Sequence, residues 1–174
     1  AGTGYAANDA LTVAFGTNAG IQTTAASQYG SFGTTFTVDI QAYGTTTITV
    51  SGASVATNRF VILPELYSVL PTSGTVGTIV TISGTGYAGS DNITVSFGTN
   101  GNIQQAAADI RGWFTAIWTV DTQVYGTTTI TASGASVVAG NVFNIEPEVV
   151  SVVPTSGTVG TIVTVAGTGY AAND

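Results

Sequence analysis

The chain has 174 residues, 44% of them hydrophobic and only 6% charged, with nine carboxylates against two basic residues and a net charge of -7. Those two, Arg59 and Arg111, give a phosphate backbone almost nothing with which to displace its counterions, which argues against nucleic acid as a partner. No apolar run approaches the about 18 residues of a membrane span, and the lack of Cys, His and Lys removes disulfides, soft metal sites, Ser-His-Asp and Cys-His catalysis, Schiff bases and lysine isopeptide bonds.

From the N-terminus, GTGYAANDALTVAFGTNAGIQ (Gly2 to Gln22) returns as GTGYAGSDNITVSFGTNGNIQ (Gly84 to Gln104). YGTTTITVSGASV (Tyr43 to Val55) returns as YGTTTITASGASV (Tyr125 to Val137). The period is about 82 residues, rising to about 83 after one extra residue enters between Val138 and Phe143. Phe60 then falls on Phe143, Ile62 on Ile145, Pro64 on Pro147 and Pro71 on Pro154. AGTGYAAND opens the chain at Ala1 and closes it at Asp174.

Apolar residues stand two apart along each copy. In the second they are Val80 and Ile82; Ile93, Val95 and Phe97; Phe114, Ala116, Trp118 and Val120; Ile130 and Ala132; Phe143 and Ile145. That period predicts strands with one buried face. Turn chemistry separates them: PTSGTVG at Pro71, SGTGYAGSD at Ser83, TNGN at Thr99 with Asn100-Gly101 placed for a tight hairpin, and ASGAS at Ala132. No helical period survives, so the expectation is all-β, with six or seven short strands per copy in a small sandwich.

The polar candidates are few. Asp39 and Asp121 occupy equivalent places before Q-x-YG and are expected to accept backbone hydrogen bonds in a turn. Asp9, Asp91 and Asp174, with Asn8 or Asn92 and backbone carbonyls, form a donor set that could hold Ca²⁺, but the ligand count is low and the EF-hand pattern absent, so no cofactor is expected. Tyr43 and Tyr125 precede the Thr-rich strand in the manner of a tyrosine corner, which predicts buried rings. Asn92-Ile93-Thr94 is the only N-x-[ST] sequon.

One strand differs between the copies in a directed way. Phe32, Phe36 and Val38 match Phe114, Trp118 and Val120 on the inward side, whereas Ser31, Gly33, Thr35 and Thr37 become Trp113, Thr115, Ile117 and Thr119 on the outward side. Trp113 and Ile117 are therefore expected to share the solvent face and to form an interface; a slip in strand parity would instead bury them.

SVLPTSGTVGTIVTISGTGYAGSDNITVSFG (Ser68 to Gly98) resembles the opening of IPT/TIG domains, which are immunoglobulin-like sandwiches. The resemblance rests on a Pro-x-x-Gly-x-x-Gly turn (Pro71, Gly74, Gly77), a strand and loop of the form VTI-x-G-x-G-aromatic (Val80 to Ile82, Gly84, Gly86, Tyr87) and V-x-F-G (Val95 to Gly98). It covers roughly the first third of each copy, implies the fold more than the function, and sets the phase. Residues 1–63 are then an Ig-like domain lacking its first strands, 64–146 a complete one, and 147–174 the first strands of the next. The expected architecture is tandem immunoglobulin-like β-sandwiches of about 83 residues each, arranged as beads on a stiff rod. The junctions Pro64-Glu65 and Pro147-Glu148 carry no Gly/Ser linker.

A chain that opens and closes within one motif is expected in two ways. It is a window on a covalent array repeating every about 165 residues, or a donor-strand polymer in which each subunit accepts strands from a neighbour. The identity of Ala1 to Asp9 with Ala166 to Asp174 favours the array, because two segments cannot share one place in a sandwich. The functional expectation is a structural repeat of an extracellular filament, stalk or surface layer, at the cell surface, with copies of itself as partners. Alternatives are an adhesin or glycan-binding module using Trp113, Tyr29 and Tyr87, and an accessory segment of a secreted enzyme.

Overall fold

The computed structural model describes residues 1–135 and 137–172 and contains no helix among them. The chain divides into two compact units, Ala1–Leu63 and a second beginning at Pro64.

The first unit is one four-stranded sheet of β1 (Ala10–Phe15), β2 (Asn18–Ala25), β3 (Gly44–Ser51) and β4 (Val55–Ile62), in the order β2-β1-β3-β4. All its pairings are antiparallel. The alternation of ALTVAF sends Leu11, Val13 and Phe15 to one face, where they are buried. Between β2 and β3 the chain crosses this face without joining a ladder; its one pairing is the isolated bridge of Gly2 with Phe32.

The second unit carries the same four strands inside a two-layer sandwich. Its strands are β5 (Glu65–Leu70), β6 (Ser73–Gly74), β7 (Ile79–Thr85), β8 (Asn92–Phe97), β9 (Asn100–Ala107), β10 (Phe114–Thr119), β11 (Gly126–Ser133) and β12 (Val138–Ile145). One sheet runs β10-β7-β5 and the other β6-β12-β11-β8-β9. The first edge strand switches layers: β5 pairs antiparallel with β7, and after Pro71 the chain crosses so that β6 pairs parallel with β12. Between the layers lie Val80, Ile82, Phe97, Phe114, Trp118, Ile130 and Phe143. Phe97 sits at their centre, its ring 5.8 Å from Trp118 and 5.7 Å from Phe143. Beyond the sandwich a hairpin follows, β13 (Glu148–Val153) paired with β14 (Thr164–Thr168).

The parity expected of the 114–120 strand holds, with Phe114, Ala116, Trp118 and Val120 buried and Ile117 exposed. The β8–β9 turn does not fall on Asn100-Gly101. Phe97 pairs with Asn100, so Gly98-Thr99 form the two-residue loop, and Gly98 supplies the positive φ (55°) that such a turn needs. Asn100 is held in the strand because its side chain is engaged elsewhere.

Gly112 has φ 75°, and a Cβ there would run into the Tyr87 carbonyl oxygen. Gly101 has open space around it. Gly112→Ala should destabilise the second unit by about 3 kcal/mol, whereas Gly101→Ala should leave it unchanged or gain up to about 1 kcal/mol, as read by urea unfolding.

Candidate interaction surfaces

Most polar candidates turn out to serve the scaffold. Asp39 and Asp121 accept from side-chain amides, not from turn backbone as expected. Asn18 Nδ2 and Gln41 Nε2 donate to Asp39 (2.9 and 2.8 Å), and Asn100 Nδ2 and Gln123 Nε2 donate to Asp121 (2.9 and 2.7 Å). The organising residues are the buried glutamines Gln41 and Gln123, which the sequence reading passed over. Each Oε1 accepts a backbone N–H of the hairpin turn 24 residues earlier in the chain, at Thr17 (3.2 Å) and Thr99 (3.4 Å). The signal was there: D-x-Q recurs two residues before each YG.

Asp9 and Asp91 are similarly engaged. Each Oδ2 accepts a loop N–H, from Ala53 (2.7 Å) and Ala135 (2.9 Å). Asp174 lies outside the described residues, and among those described no group of three or more His, Cys, Asp or Glu gathers into a metal site.

The tyrosine assignment is corrected. Tyr43 and Tyr125 are exposed, while the buried rings are Tyr5 and Tyr87 of the GTGY motifs. Tyr87 follows β7, so its ring enters between the layers, edge-on to Phe114 at 5.0 Å, and its O–H donates to the Ala132 carbonyl at 3.0 Å. Tyr125 sits before β11, and its backbone N–H donates to the Tyr170 carbonyl at 3.1 Å. A fully buried Tyr87 cannot serve as a glycan platform; Tyr29 is exposed.

Trp113 is half-buried, its indole N–H donating to the Tyr67 hydroxyl at 2.9 Å. Ile117 stands exposed on the same outward face of β10-β7-β5, along with Leu70 and Ile79. Asn92 is exposed at the start of β8. At the junctions, two residues separate β4 from β5 (Leu63-Pro64) and β12 from β13 (Glu146-Pro147), so Glu65 and Glu148 each open a strand.

Two apolar surfaces depart from a closed fold among the described residues. In the first unit a groove of about 320 Å³ opens over the inner face, lined among others by Tyr5, Val13, Phe36, Ile48, Val50 and Asn58. Val38 and Phe60 are 44% and 40% exposed, while their counterparts Val120 and Phe143 are 2% and 1% exposed. In the second unit, the β13–β14 hairpin leaves Val149, Val152, Val163 and Val165 between 41% and 60% exposed.

Residues 64–102 match the IPT/TIG domain family. The sandwich that this stretch begins is thus similar to immunoglobulin-like domains of the IPT/TIG type. Comparison with curated proteins found no match. Among solved structures 11 chains match, one of them a "Biofilm associated protein - BSP domain" with a TM-score of 0.34 and 17% identity over 80% of this chain and 25% of that one. The chain spans about a quarter of the length of that structure.

Burial raises the Tyr87 hydroxyl from its ordinary 10.0 to about 12. Below pH 10 both folded and unfolded chains keep this proton, and the contribution to stability is complete. As the pH rises from 10 to about 12, only the unfolded chain ionises and the contribution is lost. At neutral pH Tyr87→Phe should be about 1 kcal/mol less stable than the unsubstituted chain, for the lost hydrogen bond. That gap should narrow between pH 10 and 12, as measured by denaturant unfolding.

Proposed function

We propose that this chain is a structural repeat of an extracellular filament, stalk or surface layer, built as a stiff series of Ig-like domains and performing no reaction. Its divisions are an incomplete domain at 1–63, a complete one at 64–146 and the first strands of another at 147–174. The observation that carries this reading is the recurrence of one scaffold in series: β1, β2, β3 and β4 return as β8, β9, β11 and β12. Two-residue, proline-containing connections at Pro64 and Pro147 join the successive strands, and they limit bending because proline fixes its own φ and there is no Gly/Ser spacer. A side-chain inventory without His, Cys or Lys and a surface of Thr, Ser, Gly and aliphatic residues suit a load-bearing assembly partnered by its own kind.

Lateral contact is assigned to Trp113 and Ile117. Ile117 adds an apolar group to an outward face, where the other copy has Gly33 and Thr35 in the positions of Thr115 and Ile117. Contact with a neighbour takes such a face out of water. Trp113→Ser should abolish side-by-side association, seen as loss of bundles in electron micrographs. The cost to folding should be no more than about 1–2 kcal/mol, because only a half-buried ring and one exposed hydrogen bond are lost; collapse of the fold would place Trp113 in the core instead.

An antibody raised against residues 64–146 tests the reading directly. Immunogold labelling of intact source cells should decorate extended surface structures at regular spacing. Label confined to the cell interior would overturn the proposal.

A further inference from the structure

The second unit contains its own template for what the first lacks. There the β5–β7 hairpin lies over the inner face of the β8-β9-β11-β12 sheet and contributes Leu66, Val69, Val80 and Ile82, each at most 7% exposed. The first unit has the equivalent sheet and no hairpin over it. Its segment Gly33 to Thr37, within the equivalent of β10, stands in no ladder, whereas β10 pairs with β7.

The β13–β14 hairpin has the complementary defect. Val149, Val152, Val163 and Val165 occupy the positions of Leu66, Val69, Val80 and Ile82, and all four are exposed. SVVPTSGTVGTIVTVAGTGY differs from SVLPTSGTVGTIVTISGTGY only by aliphatic exchange and Ser83 to Ala166. Ser156 and Gly157, which match β6, are unpaired among the described residues.

We propose that the groove of residues 1–63 is filled by the β13–β14 hairpin of a second copy of this chain. Transferring the observed β5–β7 packing gives the register. Val163 and Val165 of the donor lie against Phe36 and Thr34 of the acceptor, as Val80 and Ile82 pair with Trp118 and Ala116. Ser156-Gly157 joins Val61-Ile62, as Ser73-Gly74 joins Asn144-Ile145. One polar contact also transfers. Asn141 Nδ2 donates to the Leu66 carbonyl at 3.2 Å, and Asn58, its counterpart, lines the groove with no acceptor for its Nδ2 among the described residues; the Val149 carbonyl of the donor supplies one.

The register also marks where the donor stops. Gly2 already bridges Phe32 as Gly84 pairs with Phe114, so the acceptor's Ala1-Gly2-Thr3 fills the place that the donor's Ala166-Gly167-Thr168 would take. The donor strand is therefore needed only as far as Val165, and one of the two identical AGT segments moves aside. This removes the objection that the duplicated termini cannot share one sandwich. Each copy then offers one hairpin and one groove that are not self-complementary, a heterologous contact that propagates into an open chain.

Sedimentation velocity of the 174-residue chain over a concentration series tests the proposal. The expected result is a ladder of oligomers lengthening with concentration. The V163D/V165D double variant should sediment as a monomer at the same concentrations and keep the circular dichroism melt of the sandwich, since neither valine is part of that core. A synthetic peptide of residues 147–165 should bind this variant one to one by calorimetry and shorten the oligomers of the unsubstituted chain. Asn58→Ala should weaken peptide binding about tenfold. A chain that stays monomeric throughout, oligomers that persist in V163D/V165D, or a peptide that neither binds nor caps would overturn it. The surface-filament reading is judged separately by labelling of cells, so a monomeric chain that labels surface fibres sinks strand exchange alone, and oligomers without surface label sink the location alone.

Discussion

A β-sheet whose side chains alternate apolar and polar cannot leave its apolar face in water; a second layer must cover it. In the second unit the covering layer is the β10-β7-β5 sheet, to which the β5–β7 hairpin contributes two strands, and the presence or absence of such a hairpin over a sheet distinguishes the parts of the chain. Where β5 and β7 are in place, Phe97, Phe143, Ile130 and Val80 meet in a closed interior. The same sheet without a hairpin shows Phe60 and Val38 to solvent, and a hairpin without a sheet shows four valines. The difference is one of covering, because the four strands common to the two sheets share the same order and ladder register.

Much of this was legible in the letters. Strand parity follows from the period-2 alternation, and the inward set Phe114, Trp118 and Val120 falls where the pattern puts it, because a one-residue slip would send the whole set into water. What escaped depends on direction in space. Nothing local says that the tyrosine before β11 points out while the one after β7 points in. The choice is made by the course of the chain, which leads GTGY between the layers and brings its hydroxyl to the Ala132 carbonyl 45 residues away.

The Asn100-Gly101 misreading has a similar origin. Asn-Gly is a strong hairpin signal in isolation, but Asn100 is drawn into the strand by its bond to Asp121, and Gly98 takes the turn. The buried glutamine then ties the two effects together. Gln123 reaches the Thr99 backbone with its oxygen and Asp121 with its nitrogen, so a polar network of four residues fixes one hairpin. A side-chain amide can do this because it donates and accepts at once.

In the proposed assembly, the pattern of sameness and difference between the copies would separate two kinds of contact. The large inward positions keep their character, Phe32, Phe36 and Val38 against Phe114, Trp118 and Val120, as an interchangeable covering hairpin requires: a groove able to take a hairpin from another molecule must match the one filled from within the same chain. Outward positions carry no such condition, and there Ile117 replaces Thr35 and Trp113 replaces Ser31. If the domain completed between molecules presents Gly33, Thr35 and Thr37 on its outer face and the domain completed within one presents Thr115, Ile117 and Thr119, the apolar outer patch recurs on alternate domains. End-to-end growth and side-by-side contact then use different residues, and a substitution in one leaves the other standing.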